Sequence, residues 1–258
     1  MHRERYSPIL LGHEATGVIL KKGSAVTHVD EGDIVLVTWV PRAARDAAGL
    51  PVRATLEVAG GTAQSENVFT WADHTLCDEQ YVVKTDANIK KDVTSIIGCA
   101  VMTGAGAVIN TAGVKAGESV AIFGVGGVGL SAVVGARMAG ASPIIAIDLD
   151  DAKLEFAKRF GATHTINAGR EDAVLVGVSS TPVELNAIDI LINEKQFRGS
   201  IGGSCAPDRD FPTFLQWHAD GHLPLEEMVT ERYSIDQINE ATTALEEGKI
   251  SGRAILEF

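Results

Sequence analysis

The pattern of apolar and polar positions divides the chain into three stretches. Up to about residue 100, short runs rich in β-branched and aromatic residues, such as Ile34–Val40 and Glu79–Val83, are separated by Gly and Asp turns, which predicts a β-rich domain over residues 1–100. From 101 to 203 apolar runs alternate with helical periodicity, the signature of a parallel α/β sheet. Here Val120–Phe123, Ile144–Ile147 and Thr163–Ala168 predict strands, while Val128–Met138 and Ala152–Phe160 predict the helices between them, the second stopped by Gly161. Residues 204–258 predict two helices, Phe211–His218 and Ile235–Glu247, and a closing strand Ala254–Phe258. Pro41–Thr70 has the weakest pattern and is read as a surface excursion.

The run Ser119-Val-Ala-Ile-Phe-Gly-Val-Gly-Gly-Val-Gly129 sets a GxGxxG turn between the first strand and first helix of the middle stretch. Gly124 permits the tight turn, Gly126 lets the main chain approach a pyrophosphate, and Gly129 lets the helix pack close to the sheet. The amides at Gly127 and Val128, which open the helix, would face the phosphates with the positive end of its dipole. Asp148 ends the second strand, where a carboxylate accepts hydrogen bonds from a ribose 2′-hydroxyl. Leu149, Asp150 and Asp151 follow it, with no arginine for a 2′-phosphate, so the pattern favours NAD over NADP. Asp150 or Asp151 also suits the cap of the next helix.

Composition narrows the class. The 258 residues are 45% hydrophobic, enough for a sizeable core in one large or two ordinary domains. A net charge of −12 argues against a nucleic-acid partner. No apolar run reaches membrane-spanning length and the N-terminus lacks the apolar centre of a signal peptide, so a cytoplasmic protein without a membrane partner is expected. Cys77, Cys99 and Cys205 are odd in number and widely spaced, which excludes a disulfide framework as an expectation.

Only five residues separate the strand Thr163–Ala168 from the β-type run Val174–Val178. A parallel crossover needs about a dozen residues, so Val174–Val178 is expected to run antiparallel or to leave the sheet.

Several motifs, in order, resemble the zinc-dependent medium-chain alcohol dehydrogenases. They are Gly12-His-Glu-Ala-Thr-Gly-Val18, Ile97-Gly-Cys-Ala-Val-Met-Thr-Gly104, the glycine turn, Asp148-Leu-Asp-Asp-Ala-Lys153, Phe160-Gly-Ala-Thr163, Phe197-Arg-Gly-Ser200 and Gly252-Arg-Ala-Ile-Leu256. The resemblance spans nearly the whole chain. It implies an α/β fold with a GroES-like β-rich catalytic domain, completed by residues 204–258, and an incomplete Rossmann-type parallel-sheet domain. The implied reaction is hydride transfer between an alcohol/aldehyde pair and NAD, with one catalytic Zn2+ lowering the pKa of the alcohol and no structural zinc.

On this resemblance His13, Glu14 and Cys99 are the catalytic and metal residues. His13 and Cys99 are ligands, and Glu14 tunes or exchanges with them. The cofactor-binding set is Thr103, Gly124, Gly126, Gly127, Val128, Gly129, Asp148, Lys153, Val176, Val178 and Arg253, with Thr103 near the nicotinamide and Arg253 near the pyrophosphate. The main chain at Val176–Val178 and Ile201–Gly203 would line the nicotinamide face. Read on chemistry alone, Arg253 is a surface charge beside a terminal strand, Cys99 a buried small hydrophobe and the His-Glu pair a solvated one. The family's remaining ligand, an earlier cysteine beside a proton-relaying hydroxyl, has no counterpart in the twelve residues before His13. The alternative reading is therefore a non-catalytic remnant without zinc or turnover. A zinc-free reductase on the same scaffold is disfavoured because it would have no use for His13, Glu14 and Cys99 together. The family resemblance also implies a homodimer or tetramer, pairing near Lys195–Ser200.

Overall fold

The computed structural model describes residues 9–42, 54–58, 61–65, 67–169 and 199–258. They form two units, Met1–Met102 with Cys205–Phe258, and Thr103–Ser204.

The first unit begins with β1 (Ile9–Leu10) and β2 (Ala15–Val18). Next comes β3 (Ile34–Val37), whose four apolar side chains are all buried because it is the middle strand of an antiparallel sheet. The strand is shorter than the run to Val40 predicts. The Val40 amide turns back onto the Thr38 hydroxyl at 3.2 Å, which takes the main chain out of the ladder. The weakly patterned excursion contains a hairpin, β4 (Thr55–Val58) and β5 (Gly61–Ser65), with β1 parallel to β5. Only Ala63 and Ser65 of this hairpin are buried, so it carries little hydrophobic signal.

The predicted strand Glu79–Val83 is also corrected. Asp78 accepts a hydrogen bond from the Gln80 amide at 3.0 Å and caps a 3-10 turn over Glu79–Tyr81, leaving β6 (Val82–Lys84) as the strand. Sheet β2-β3-β6 packs Val29, Val35 and Val82 into one cluster and Val37, Val68 and Tyr81 into another. A short helix α1 (Lys91–Thr94) and a 3-10 turn Ser95–Gly98 then lead to α2 (Ala100–Gly106), which continues as a π-helix over Ala107–Ala112.

The second unit is built on β7 (Val120–Phe123), α3 (Gly127–Met138), β8 (Ile144–Asp148), α4 (Asp151–Phe160) and β9 (His164–Asn167). The strands are parallel in the order β7-β8-β9. Leu130, Val133 and Val134 of α3 and Leu154, Ala157 and Phe160 of α4 are buried at helical spacing, and Asp150 caps α4 through the Ala152 amide at 2.8 Å. Among the described residues β7 pairs only with β8, and Ala121 is exposed. The predicted fate of Val174–Val178, and most of the predicted pairing segment Lys195–Ser200, lie outside the described residues.

The chain re-enters the first unit through α5 (Pro207–Ala219), which starts four residues before the predicted Phe211 with Pro207 at its first position. The short helix α6 (Leu225–Met228) follows, then β10 (Val229–Ser234), α7 (Ile238–Glu246) and β11 (Arg253–Glu257). Strand β10 pairs parallel with β11 and escaped prediction because Val-Thr-Glu-Arg-Tyr-Ser is polar and mostly exposed. Phe211, Phe214, Leu223, Leu225 and Met228 are fully buried and anchor this return. Among the described residues no single helix is long and apolar enough to cross a membrane.

Candidate functional site

His13 and Glu14 sit just ahead of β2, in a turn that Gly12 makes with φ +89. A Cβ on Gly12 would lie 2.5 Å from the Thr70 hydroxyl and 2.6 Å from Trp71, so a side chain is excluded on both conformational and steric grounds. Cys99 occupies the break between the 3-10 turn Ser95–Gly98 and α2, with φ −140 and ψ −63. These two irregular segments bring one nitrogen, one oxygen and one sulfur donor from His13, Glu14 and Cys99 to within 4.8 Å of one another. His13 is exposed, and Glu14 and Cys99 are partly buried.

The donor set suits zinc. Tetrahedral coordination at ordinary bond lengths puts donor atoms about 3.5 Å apart, and a catalytic site takes three protein ligands. Glu14 has other partners as well: one carboxylate oxygen is paired with the Arg253 guanidinium and the other accepts from the Ala100 amide at 3.3 Å. The cluster therefore offers three donors, of which the Glu14 carboxylate is shared with Arg253 and the Ala100 amide.

Arg253 opens β11, and the reading as a plain surface charge is corrected. Its guanidinium pairs with a Glu14 side chain only 12% exposed, and its Nε is buried with no acceptor among the described residues. His13, Glu14, Arg253 and Trp71 line a groove of about 1110 Å³ within this unit.

In the second unit each glycine of the turn has a separate structural role. Gly124 has φ +81. A Cβ on Gly129 would lie 1.9 Å from the Gly124 carbonyl oxygen, whereas a Cβ on Gly126 would meet nothing within 4 Å. Gly129 is thus required by packing, and the space beside Gly126 is open. Gly127 and Val128 open α3, and Val128 is exposed.

One Asp148 oxygen accepts from the Val125 amide at 2.8 Å. The other accepts from Leu149 and Asp150 at 2.8 and 3.1 Å. The carboxylate is held at the C-terminal end of β8, beside the glycine turn, and the oxygen bonded to Val125 keeps one further acceptor site. Lys153 is half-buried in the first turn of α4, and the Thr103 hydroxyl in α2 is buried without a partner among the described residues. Val176 and Val178 lie outside the described residues. Gly202 and Gly203 are buried, both with positive φ, in a 3-10 turn ending at Ser204.

Two family models match, the alcohol dehydrogenase GroES-like domain over residues 1–87 and the zinc-binding dehydrogenase over residues 127–175. The chain is 30% identical to alcohol dehydrogenase-like 3 of Arabidopsis thaliana over 99% of its own length and 83% of that protein. It is also 30% identical to the S-(hydroxymethyl)glutathione dehydrogenase of Escherichia coli O1:K1 / APEC, over 97% of this chain and 85% of that one.

The chain belongs to the zinc-dependent medium-chain alcohol dehydrogenase family. It is an oxidoreductase of that family, with a GroES-like β-rich part and a parallel-sheet α/β part. An alcohol dehydrogenase zinc-binding domain protein from Burkholderia ambifaria has a similar structure, with a TM-score of 0.86 at 26% identity over 98% of this chain and 84% of that one. The alignment with the Arabidopsis dehydrogenase runs to 329 positions against 258 residues here, so that relative has segments within the aligned span that this chain lacks.

Proposed function

We propose that this dehydrogenase interconverts a small alcohol and its aldehyde with NAD, at a site holding one catalytic zinc and no structural zinc. The observation that carries the reading is the convergence of His13, Glu14 and Cys99 to within 4.8 Å from two separate irregular segments. His13 and Cys99 would hold the metal, with Glu14 tuning or exchanging with them. When bound, zinc supplies Lewis-acid polarisation of the substrate oxygen, and the nicotinamide supplies the hydride acceptor.

Arg253 balances the Glu14 carboxylate, so that a partly buried negative charge is not left unpaired next to the donors. In the Rossmann-type sheet the amides at Gly127 and Val128 would receive the phosphates, Gly126 would leave room for them, and Asp148 would accept from the ribose hydroxyls. Thr103, Lys153, Val176, Val178 and Arg253 complete the proposed cofactor set, with Gly124 and Gly129 shaping the turn. Residues 1–100 and 204–258 are taken as the catalytic domain and 101–203 as the cofactor domain, in a cytoplasmic homodimer or tetramer.

The test is NADH formation by the purified full-length chain with zinc, across a panel of primary alcohols. The expected result is turnover with NAD, little with NADP, and none in Cys99→Ala. Zinc-loaded protein that turns over no alcohol or aldehyde on the panel would overturn this reading in favour of the remnant.

A further inference from the structure

We infer that Thr38 and Thr70 are positioning residues, two buried hydroxyls that fix the main chain on either side of the donor cluster. The inference rests on the proposed metal role of His13, Glu14 and Cys99.

Both segments that carry the donors lie outside any strand ladder: His13 precedes β2, and Cys99 stands between a 3-10 turn and a helix. Regular secondary structure fixes only one end of each segment, at Ala15 and at Ala100. A three-donor cluster tolerates errors of only about 0.5 Å, so other groups have to set the rest.

Thr38 supplies one restraint. It is fully buried just past the end of β3, and its hydroxyl accepts from the Val40 amide at 3.2 Å. Its single proton is donated to the Gly98 carbonyl at 2.7 Å, on the peptide that leads into Cys99. Gly98 is also wedged in place. A Cβ there would lie 2.3 Å from the Val37 carbonyl oxygen and 3.0 Å from the Glu14 Cβ, so the end of β3, the residue before Cys99 and Glu14 itself are in direct contact.

Thr70 supplies the other restraint. It is 8% exposed and donates its hydroxyl proton to the Glu14 carbonyl at 3.0 Å. The amides of Thr70 and Trp71 both donate to the Leu11 carbonyl at 3.1 Å. Three hydrogen bonds from residues 70 and 71 therefore bracket His13, one side at Leu11 and the other at Glu14. Neither hydroxyl is itself one of the clustered donors, so both act through the peptides that carry them. Valine has nearly the shape of threonine but no hydroxyl, so it removes the hydrogen bonds while keeping the packing, and serine keeps the hydroxyl.

The experiment is titration of the metal-stripped full-length chain with cobalt(II), followed through the thiolate charge-transfer and ligand-field absorption. The variants are Thr38→Val, Thr38→Ser, Thr70→Val, Thr70→Ser and Cys99→Ala. Val83→Ala, a buried change in β6 away from the donors, is the control for general destabilisation.

The wild type should bind cobalt with a thiolate band that Cys99→Ala abolishes. Each valine variant should bind about 10-fold or more weakly with altered ligand-field bands. The serine variants should keep wild-type affinity and spectrum, and Val83→Ala should lower the thermal midpoint without changing either. Wild-type affinity and spectrum in Thr38→Val and Thr70→Val, or losses matched by Val83→Ala, would overturn this inference alone. Failure of the wild type to bind cobalt would overturn the metal reading and this inference together.

Discussion

Replacing Gly129 by alanine should damage the fold, and replacing Gly126 three residues earlier should not. A Cβ at Gly129 would stand 1.9 Å from the Gly124 carbonyl oxygen and 2.9 Å from its carbon, both main-chain atoms that have no rotamer to escape into. The start of α3 would have to retreat from the turn by more than an ångström. That movement loosens Leu130, Val133 and Val134, which are fully buried. Overpacking of this kind costs about 1–3 kcal/mol, and contact with main chain puts the cost at the upper end. At about 2–4 °C per kcal/mol for a chain of this length, the thermal midpoint should fall by about 6–12 °C.

At Gly126, where an added Cβ meets nothing within 4 Å and φ is −70, stability should stay within about 0.5 kcal/mol. The same methyl group would stand where the pyrophosphate approaches, so NADH affinity should drop about tenfold or more. Differential scanning calorimetry with NADH fluorescence titration reads both quantities. A Gly129→Ala midpoint equal to wild type, or a Gly126→Ala variant as destabilised as Gly129→Ala, would refute the division of roles between the two glycines.

Asp33 bonds to Lys84 and accepts from the Asp30 amide, and these contacts hold its carboxyl below the usual carboxylate range. The stability this contributes is full above the ordinary carboxylate pKa and is lost as pH falls toward the lowered one. In Asp33→Asn the loss of stability between pH 5 and the acid limit, followed by urea denaturation, should be smaller than in wild type, and an unchanged acid slope would count against the pairing. Burial, reinforced by the charge of Asp78, pushes the Cys77 thiol up to about 11. Its alkylation in the native protein, read by peptide mass spectrometry, should be slow at neutral pH and accelerate as pH rises toward that value. Rapid modification at pH 7 would show that Cys77 is not enclosed as described.

Much of the second unit was legible in the sequence because its signals are local. The apolar run Ile144–Ile147, the Asp150 cap, the 3.6-residue spacing of α4 and the stop at Gly161 each act within a few residues, and the structure follows them. Elements whose cause is distant were missed. Ala100–Gly106 is rich in Ala and Gly and gives no amphipathic stripe, yet it forms α2. Gly104 is small because a Cβ there would lie 2.0 Å from the Val128 carbonyl oxygen. The β4–β5 hairpin and β10 pair mainly through main chain and bury few side chains, so their hydrophobic pattern is faint.

The candidate site divides in the same way. His13, Glu14 and Cys99 emerged from the family resemblance, since no local pattern relates positions so far apart in the chain. The Arg253–Glu14 pair and the hydroxyls of Thr38 and Thr70 left no sequence signal, because each depends on a tertiary contact with a residue whose neighbours do not announce it.

The central claim is that His13 and Cys99, with Glu14 beside them, form a metal site. The most direct measurement is the zinc content of the purified, monodisperse full-length chain by elemental analysis, with Cys99→Ala alongside. The wild type should hold about one zinc per chain and the variant none. Wild-type protein that holds no zinc after equilibration with it, or a Cys99→Ala variant that keeps the full amount, would contradict a metal site at these residues.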